Sequence, residues 1–381
     1  VSFRKSTRSF AIGAGYLARN GGRPARFTSL AATKRRRKRG RVGYGARVLE
    51  TVLRARLSPE DGRDYDAFVA AAADGGFAQL RDYAELATSD RPFRARYFLA
   101  RDPGRGGGVV GAALVLRSRL GALPLPFAQI ERGPVVGEPA RLGEVLIALR
   151  RALLRRGVVR LSVMPYWAEP ERAPVEAELA RLGFRAVDDD AGAHVRSLRM
   201  PLVGTEAEVL GGSGRKTLRY ELKQAAKAGV VSARARGDEA RAFVALSRET
   251  MGAQGRAEAA KGDAFGRALA RVTARSERLA CFVSRDGASG RPLGAVVVAR
   301  TDARLTLLLG ATSTERRPFS KMSPPLLEAI RWGRGHGAQE LDLGGVPREG
   351  DTDPKRAAIA AFKHGFSRDT VDLVREHVRW G

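Results

Sequence analysis

The chain has 381 residues, 44% hydrophobic and 29% charged, with a formal net charge of +27. That length exceeds one ordinary core and predicts two domains, and the composition is that of a folded globular protein. No stretch offers the ~18 apolar residues of a membrane span, the single cysteine, Cys281, excludes an intrachain disulfide, and the four histidines show no metal-ligand spacing with it.

A reducing, cytoplasmic setting without structural zinc is therefore expected. The short apolar run at residues 10–18 lacks a cleavage site and does not read as a secretory leader. Residues 1–47 carry 14 Lys/Arg and no Asp or Glu, including KRRRKRGR at 34–41. Such a tail cannot bury enough apolar surface to order itself and reads as disordered. It is either a solvated extension or an adhesive for polyanions, anionic lipid headgroups or RNA. The remainder keeps 27 − 14 = +13, so its surface is basic without the tail.

After residue 47 amphipathic helices alternate with short apolar strands, and the series occurs twice. AFVA at 67–70 returns at 242–245. RYFLARDPGRGGGVVGAALVLR and ACFVSRDGASGRPLGAVVVAR both read as strand, glycine-rich turn, strand, with Arg101-Asp102 matching Arg285-Asp286. Each hairpin leads through a third strand to a long helix (LGEVLIALRRALLRRG, SPPLLEAIRWGRGHG) and a further strand (VVRLSVMP, AQELDLGG). The spacing of roughly 175–183 residues is far beyond solenoid repeats of ~20–50. Each copy is thus helix, antiparallel hairpin, third strand, helix, parallel strand, an α/β class with mixed sheets. That order is similar to the acetyltransferase-like (GNAT) fold. The predicted organisation is a tail at 1–47, a first GNAT-like domain at 48–200 and a second at 201–381, the last strand being free to pack on the first.

Between the copies, GRKTLRYELKQAAKAGV at 214–230 reads as a basic amphipathic helix. It either covers a sheet edge or brings Arg215, Lys216 and Arg219 together on phosphate. Coenzyme A needs a glycine-rich loop of free N–H groups at the start of the main helix. The corresponding loops, ERGPVVGEPARLGEV and ATSTERRPFSKMSPPLLEA, have no Gly-x-Gly, and Pro318, Pro324 and Pro325 remove donors from the second. The fold is expected to be kept without coenzyme A, and no cofactor is assigned.

GGFAQLRDYAEL, ERGPVV, MPYW followed by LARLGF, GRKTLRYELKQAAKAGV, LLLGATS, LDLGG and FKHGF occur in that order. From about residue 76 onward this series resembles the FemABX-like peptidyltransferases. The resemblance implies two tandem acetyltransferase-like domains. It also implies an aminoacyltransferase that moves an amino acid from aminoacyl-tRNA to an amine of a peptidoglycan precursor, lipid-linked or nucleotide-linked. By the FK motif it places Lys363, with Phe362, at the reaction site, where a lysine between aromatic walls serves as a fixed positive charge. Asp342 would accept a proton, hold Lys363 or cap neighbouring backbone. Arg132 in the RGP turn, Tyr166, Gly344 and Gly345 are candidate substrate contacts, each with a structural alternative. The family's tryptophan and lysine after F-x-Q are not matched; Tyr83 stands there, which puts a nucleotide-linked acceptor in question. The segment between Gln254 and Ala280 is too short for a coiled-coil arm. The alternatives are an N-acyltransferase using an acyl carrier or acyl-coenzyme A, and a non-catalytic nucleic-acid or membrane adaptor. The tail offers peripheral contact with the inner face of the plasma membrane.

Overall fold

The structure is a computed structural model that describes residues 49–118, 126–187, 195–211, 218–347 and 354–381. The basic tail and the pair Arg215 and Lys216 lie outside the described residues.

The first lobe begins with β1 (Glu50–Arg54) and α1 (Pro59–Ala71). Ser58 caps α1 by accepting from Asp61 N at 3.1 Å, and Pro59, Glu60 and Asp61 in the first turn suit its positive end. Then come α2 (Arg81–Thr88), β2 (Phe93–Asp102), β3 (Gly108–Ser118), β4 (Phe127–Ile130), α3 (Leu142–Leu154), β5 (Arg160–Val163), α4 (Arg172–Arg181) and β6 (Arg185–Ala186). The second lobe runs β7 (Arg196–Pro201), α5 (Glu206–Gly211), α6 (Leu218–Lys227), β8 (Val230–Ala235), α7 (Ala242–Ala253), α8 (Asp263–Arg275), β9 (Leu279–Asp286), β10 (Pro292–Arg300), β11 (Arg304–Thr312), α9 (Ser323–Gly335), β12 (Glu340–Gly345), α10 (Pro354–His364) and β13 (Asp369–Asp372). The final strand, β14 (His377–Trp380), returns to the first lobe.

The two sheets have the orders β1-β2-β3-β4-β5-β14-β6 and β13-β7-β12-β11-β10-β9-β8. Within them β1–β5 and β8–β12 are the same device: four antiparallel strands, then a helical crossover that makes the fifth strand parallel to the fourth. The duplicated series is therefore a duplicated structure with one more leading strand per copy than the sequence pattern shows. At β5 and β12, where the repeat ends, the strands that follow cross over. β7 lies beside β12, and β14 is inserted between β5 and β6.

The lobes share apolar surface. Tyr65, Leu99 and Val135 of the first belong to one buried cluster with Phe243, Leu269 and Val297 of the second. At its rim α2 meets α8, where Glu85 holds Arg271 and Arg275 at 2.5 and 2.7 Å. Packing tolerance is small inside each lobe. A Cβ on Gly294 of β10 would stand 2.1 Å from the carbonyl oxygen of Lys321, a backbone atom that cannot swing aside. Gly294→Ala is expected to destabilise the protein by about 1–3 kcal/mol, within the usual cost of overpacking. Thermal unfolding would record the loss.

Candidate active site

LDLGG builds one side of the site. Leu341 and Leu343 point into the second lobe's core, so strand alternation sends Asp342 to the other face, where it is almost fully buried. Asp342 Oδ1 accepts from Ser197 Oγ of β7 at 2.5 Å and from Gly344 N at 2.6 Å. The second bond needs the backbone to turn back, and Gly344 supplies it with φ of +78°. Asp342 Oδ2 accepts the hydroxyl of Tyr166, just past β5 of the first lobe. The carboxylate thus ties the lobes together.

Tyr166 is buried and surrounded by cations. The guanidiniums of Arg132 and Arg304 each lie 4.8 Å from its ring centre, and that of Arg199 lies 5.6 Å away. Arg304 also pairs with Glu340 at 2.6 Å and reaches Gly75 O at 3.4 Å, and Arg199 stands 3.6 Å from Glu340. Burial acts to raise the Asp342 carboxyl, but the charge of Arg132, the bonds from Ser197 and Tyr166, and the charge of Arg199 together hold it below the usual carboxylate range. Burial and the Asp342 charge push the Tyr166 hydroxyl up to about 12, against the three arginines. Asp342 is ionised and Tyr166 is a hydrogen-bond donor throughout the physiological range.

Arg132 holds its place through an unusual turn. It has φ of +52°, left-handed for a residue with a side chain, and a cis Gly133-Pro134 bond follows. Buried Gln79 fastens this turn: its amide donates to Glu131 O, its carbonyl accepts Leu114 N at 2.7 Å, and Tyr65 bonds its backbone at 2.9 Å. Gly133 must lack a Cβ because Gln79 would lie 2.7 Å from it. Buried Asp74 anchors the next residues through Val136 N and Gly137 N at 2.9 and 3.0 Å, and burial pushes its carboxyl up to about 6. Backbone held away from its preferred region by this many contacts is a mark of a functional turn.

α10 supplies Lys363, 1% exposed. Its ammonium donates to Gly345 O at 2.6 Å, and no other described residue takes its remaining N–H groups. Burial drives its pKa down to about 8, although Asp342 opposes the shift. The lysine therefore answers to Gly345 directly and to Asp342 through charge alone. The aromatic walls expected beside it have another role. Phe362 near the end of α10 and Phe366 in the turn after it pack edge to face at 5.2 Å on the second lobe's core, Phe366 within it and Phe362 partly buried against it.

The structure thus brings together Lys363, Asp342, Arg132, Tyr166, Gly344 and Gly345. Phe362 supports them from the core. Arg219 is not among them; exposed on α6, it turns to the carbonyl of Ala207 on α5. The sequence reading missed Gln79, Ser197, Arg199, Arg304 and Glu340. Arg304 and Glu340 face each other across the parallel β11–β12 pair, a register that follows once the duplication is aligned.

The loops ahead of the two crossover helices also match. Asp102 accepts Gly104 N at 3.0 Å and pairs with Arg141 at 2.7 Å; Asp286 accepts Ser289 N at 2.9 Å and pairs with Arg317 at 2.7 Å. The hairpin aspartates of both copies thus take an arginine from the loop where this fold could present backbone donors to phosphate. In the second lobe the carbonyls of Ser313 and Glu315 turn onto the Lys321 ammonium, and Pro324 and Pro325 are buried in the first turn of α9.

Residues 212–356 match the acetyltransferase (GNAT) domain family. No curated protein matches the chain. Among solved structures, that of FemX superposes with a TM-score of 0.74 at 18% identity, covering 87% of this chain and 97% of FemX. The C-terminal DUF2156 domain of a putative lysylphosphatidylglycerol synthetase from Agrobacterium fabrum gives 0.52 at 15% identity, covering 84% and 92%, and L-PGS from Bacillus licheniformis gives 0.51 at 12%, covering 85% and 91%. The protein has the tandem acetyltransferase-like fold of FemX, and its second half carries the match to the acetyltransferase (GNAT) domain.

Proposed function

We propose that the protein is an aminoacyltransferase that carries an amino acid from aminoacyl-tRNA to a primary amine on the stem peptide of a peptidoglycan precursor. The observation that carries this reading is Lys363, a buried ammonium whose one partner among the described residues is a backbone carbonyl, beside the Asp342–Tyr166 contact between two lobes that share the fold of FemX. An aminoacyl ester is already activated. Its aminolysis needs alignment of amine and carbonyl, a positive charge for the developing oxyanion, and removal of one proton. Lys363 supplies the charge, and its N–H groups that no described residue takes would meet the carbonyl oxygen or a phosphate of the acceptor end of tRNA. Arg132 and Arg199 orient Tyr166 and Asp342 behind it. The attacking amine loses its proton to water or to the departing ribose oxygen, and the ester C–O bond breaks as the amide forms.

The purified protein, given charged tRNA with labelled amino acids and both lipid-linked and nucleotide-linked precursors, is expected to add one aminoacyl mass to a stem peptide. Absence of product with every charged tRNA would overturn the reading. The GNAT match favours a second one, an N-acyltransferase fed by acyl-coenzyme A. Against it stand the occupied loops ahead of α3 and α9, and calorimetry with acyl-coenzyme A separates the two, since tight binding requires those loops to open.

A further inference from the structure

Where β4, β5 and β14 lie side by side, one face of the first sheet contributes little to any core. Leu161 and Val163 of β5 pack with α3, so Arg160 and Ser162 point to the opposite face. Register sets Phe127 and Gln129 of β4 beside Arg160 and Ser162 on one flank, and Trp380 and Val378 of β14 beside the same two residues on the other. Gln129, Ser162 and Val378 are buried, yet none belongs to the three apolar clusters.

This strip carries opposite charges at its two ends. Glu376, just ahead of β14 and 7% exposed, accepts the hydroxyl of Ser162, and among the described residues no cation pairs with it. The side-chain amide of Gln129, 3% exposed, has no hydrogen-bond partner among the described residues. Buried polar groups without partners are costly, and a carboxylate without a cation most of all. At the strip's open end Arg160 lies between the rings of Phe127 and exposed Trp380, 5.8 Å from each, and no carboxylate among the described residues pairs with it. Arg160 and Ser162 are two residues apart, about 7 Å along the strand.

We propose that the strip is a binding site for an amino acid or short peptide that presents a primary ammonium to Glu376 and Gln129 and a free carboxylate to Arg160. An extended diamino acid such as lysine spans the two charges. Phosphate would satisfy Arg160 but is repelled by Glu376, a polyamine meets the reverse difficulty, and an aminoacyl ester has no free carboxylate on its backbone. Past Ser162 the chain of β5 leads through Met164, which donates to Ile130 O at 3.1 Å, to Tyr166, so a peptide seated here occupies the approach to the lobe junction. The inference concerns recognition and depends on no step of the transfer reaction.

Calorimetry on the full chain, without tRNA, tests it with three probes: acetyl-alanyl-lysine with its carboxylate and side-chain ammonium free, the same peptide acetylated on the side-chain nitrogen, and the same peptide amidated at its C-terminus. The first is expected to bind, and each modification to weaken it about tenfold or more through loss of a charge-assisted hydrogen bond. E376Q, which still offers Ser162 an acceptor, is expected to weaken the free peptide to the level of the side-chain-acetylated one and to leave the affinity of the latter unchanged. R160M is expected to do the same for the free and amidated pair. No binding of the free peptide at millimolar concentration, or binding that ignores both modifications, overturns the proposal. Binding that responds to the modifications but to neither variant places the peptide elsewhere and overturns it too. Should a variant fail to fold, the three probes on the wild-type chain still decide whether both charges of the ligand are read.

Discussion

Lys363→Met is expected to slow transfer severely while making the folded protein more stable near neutral pH. A lysine ordinarily titrates at 10.5, and burial lowers this one to about 8. Below pH 8 both the folded and the unfolded chain carry the charge, and the fold bears the full cost of holding it. At 1.36 kcal/mol per pKa unit that cost is about 3 kcal/mol. Methionine fills nearly the same volume without charge, and the loss of the bond to Gly345 O returns about 1 kcal/mol. The net gain is about 1–3 kcal/mol, read by denaturant unfolding at pH 7. Between pH 8 and 10.5 the folded lysine releases its proton while the unfolded one keeps it, so wild type gains stability with pH and the variant's advantage shrinks. Activity moves the other way: removing the charge for the oxyanion is expected to cost about 10²–10³ in kcat. Wild-type turnover should fall as pH rises through about 8. A variant both less stable and still active would show that Lys363 is an ordinary core residue.

The fold was legible from residues whose pattern is local. AFVA, the paired Arg-Asp turns and the crossover helices each recur within one element, and their order implies the two sheets. The freedom of the last strand to pack on the first domain was legible as well; what escaped was the place of β7 beside β12, because β7 is a short segment whose partner is decided by a free edge far away in sequence. The site divides in the same way. Lys363, Asp342 and the two glycines stand in compact motifs, so they could be named from the chain. Of the three arginines on Tyr166, Arg132 was marked by its RGP turn, whereas Arg199 of β7 and Arg304 of β11 have nothing in their neighbours that marks them. FKHGF misled on one point: adjacency in sequence suggests aromatic walls about the lysine, whereas the end of α10 and the turn after it direct the phenylalanines to the core and the ammonium to Gly345.

Removing Asp342 is expected to produce the largest loss of stability. Its carboxylate receives Ser197, Gly344 and Tyr166 and balances the nearby arginines. Asp342→Ala leaves those donors and charges buried without their acceptor, at a cost of about 3–5 kcal/mol; Asp342→Asn keeps the volume and one acceptor and costs about 1–3 kcal/mol. Because the folded carboxyl lies below its unfolded value of about 3.9, its contribution is complete above that pH and is lost on acidification through the lower folded value. Wild type and Asp342→Asn should therefore converge in stability below pH 4 and differ fully at pH 6. The same substitution tests the coupling to Lys363. Asp342 is the charge that opposes the burial of the ammonium, so its neutralisation must lower the lysine further, and the alkaline fall in turnover should move to lower pH than in wild type. A merely structural aspartate would change the amplitude of that profile without moving its midpoint, whereas one that sets the charge state of the site shifts the midpoint even in the fraction of molecules that remain folded.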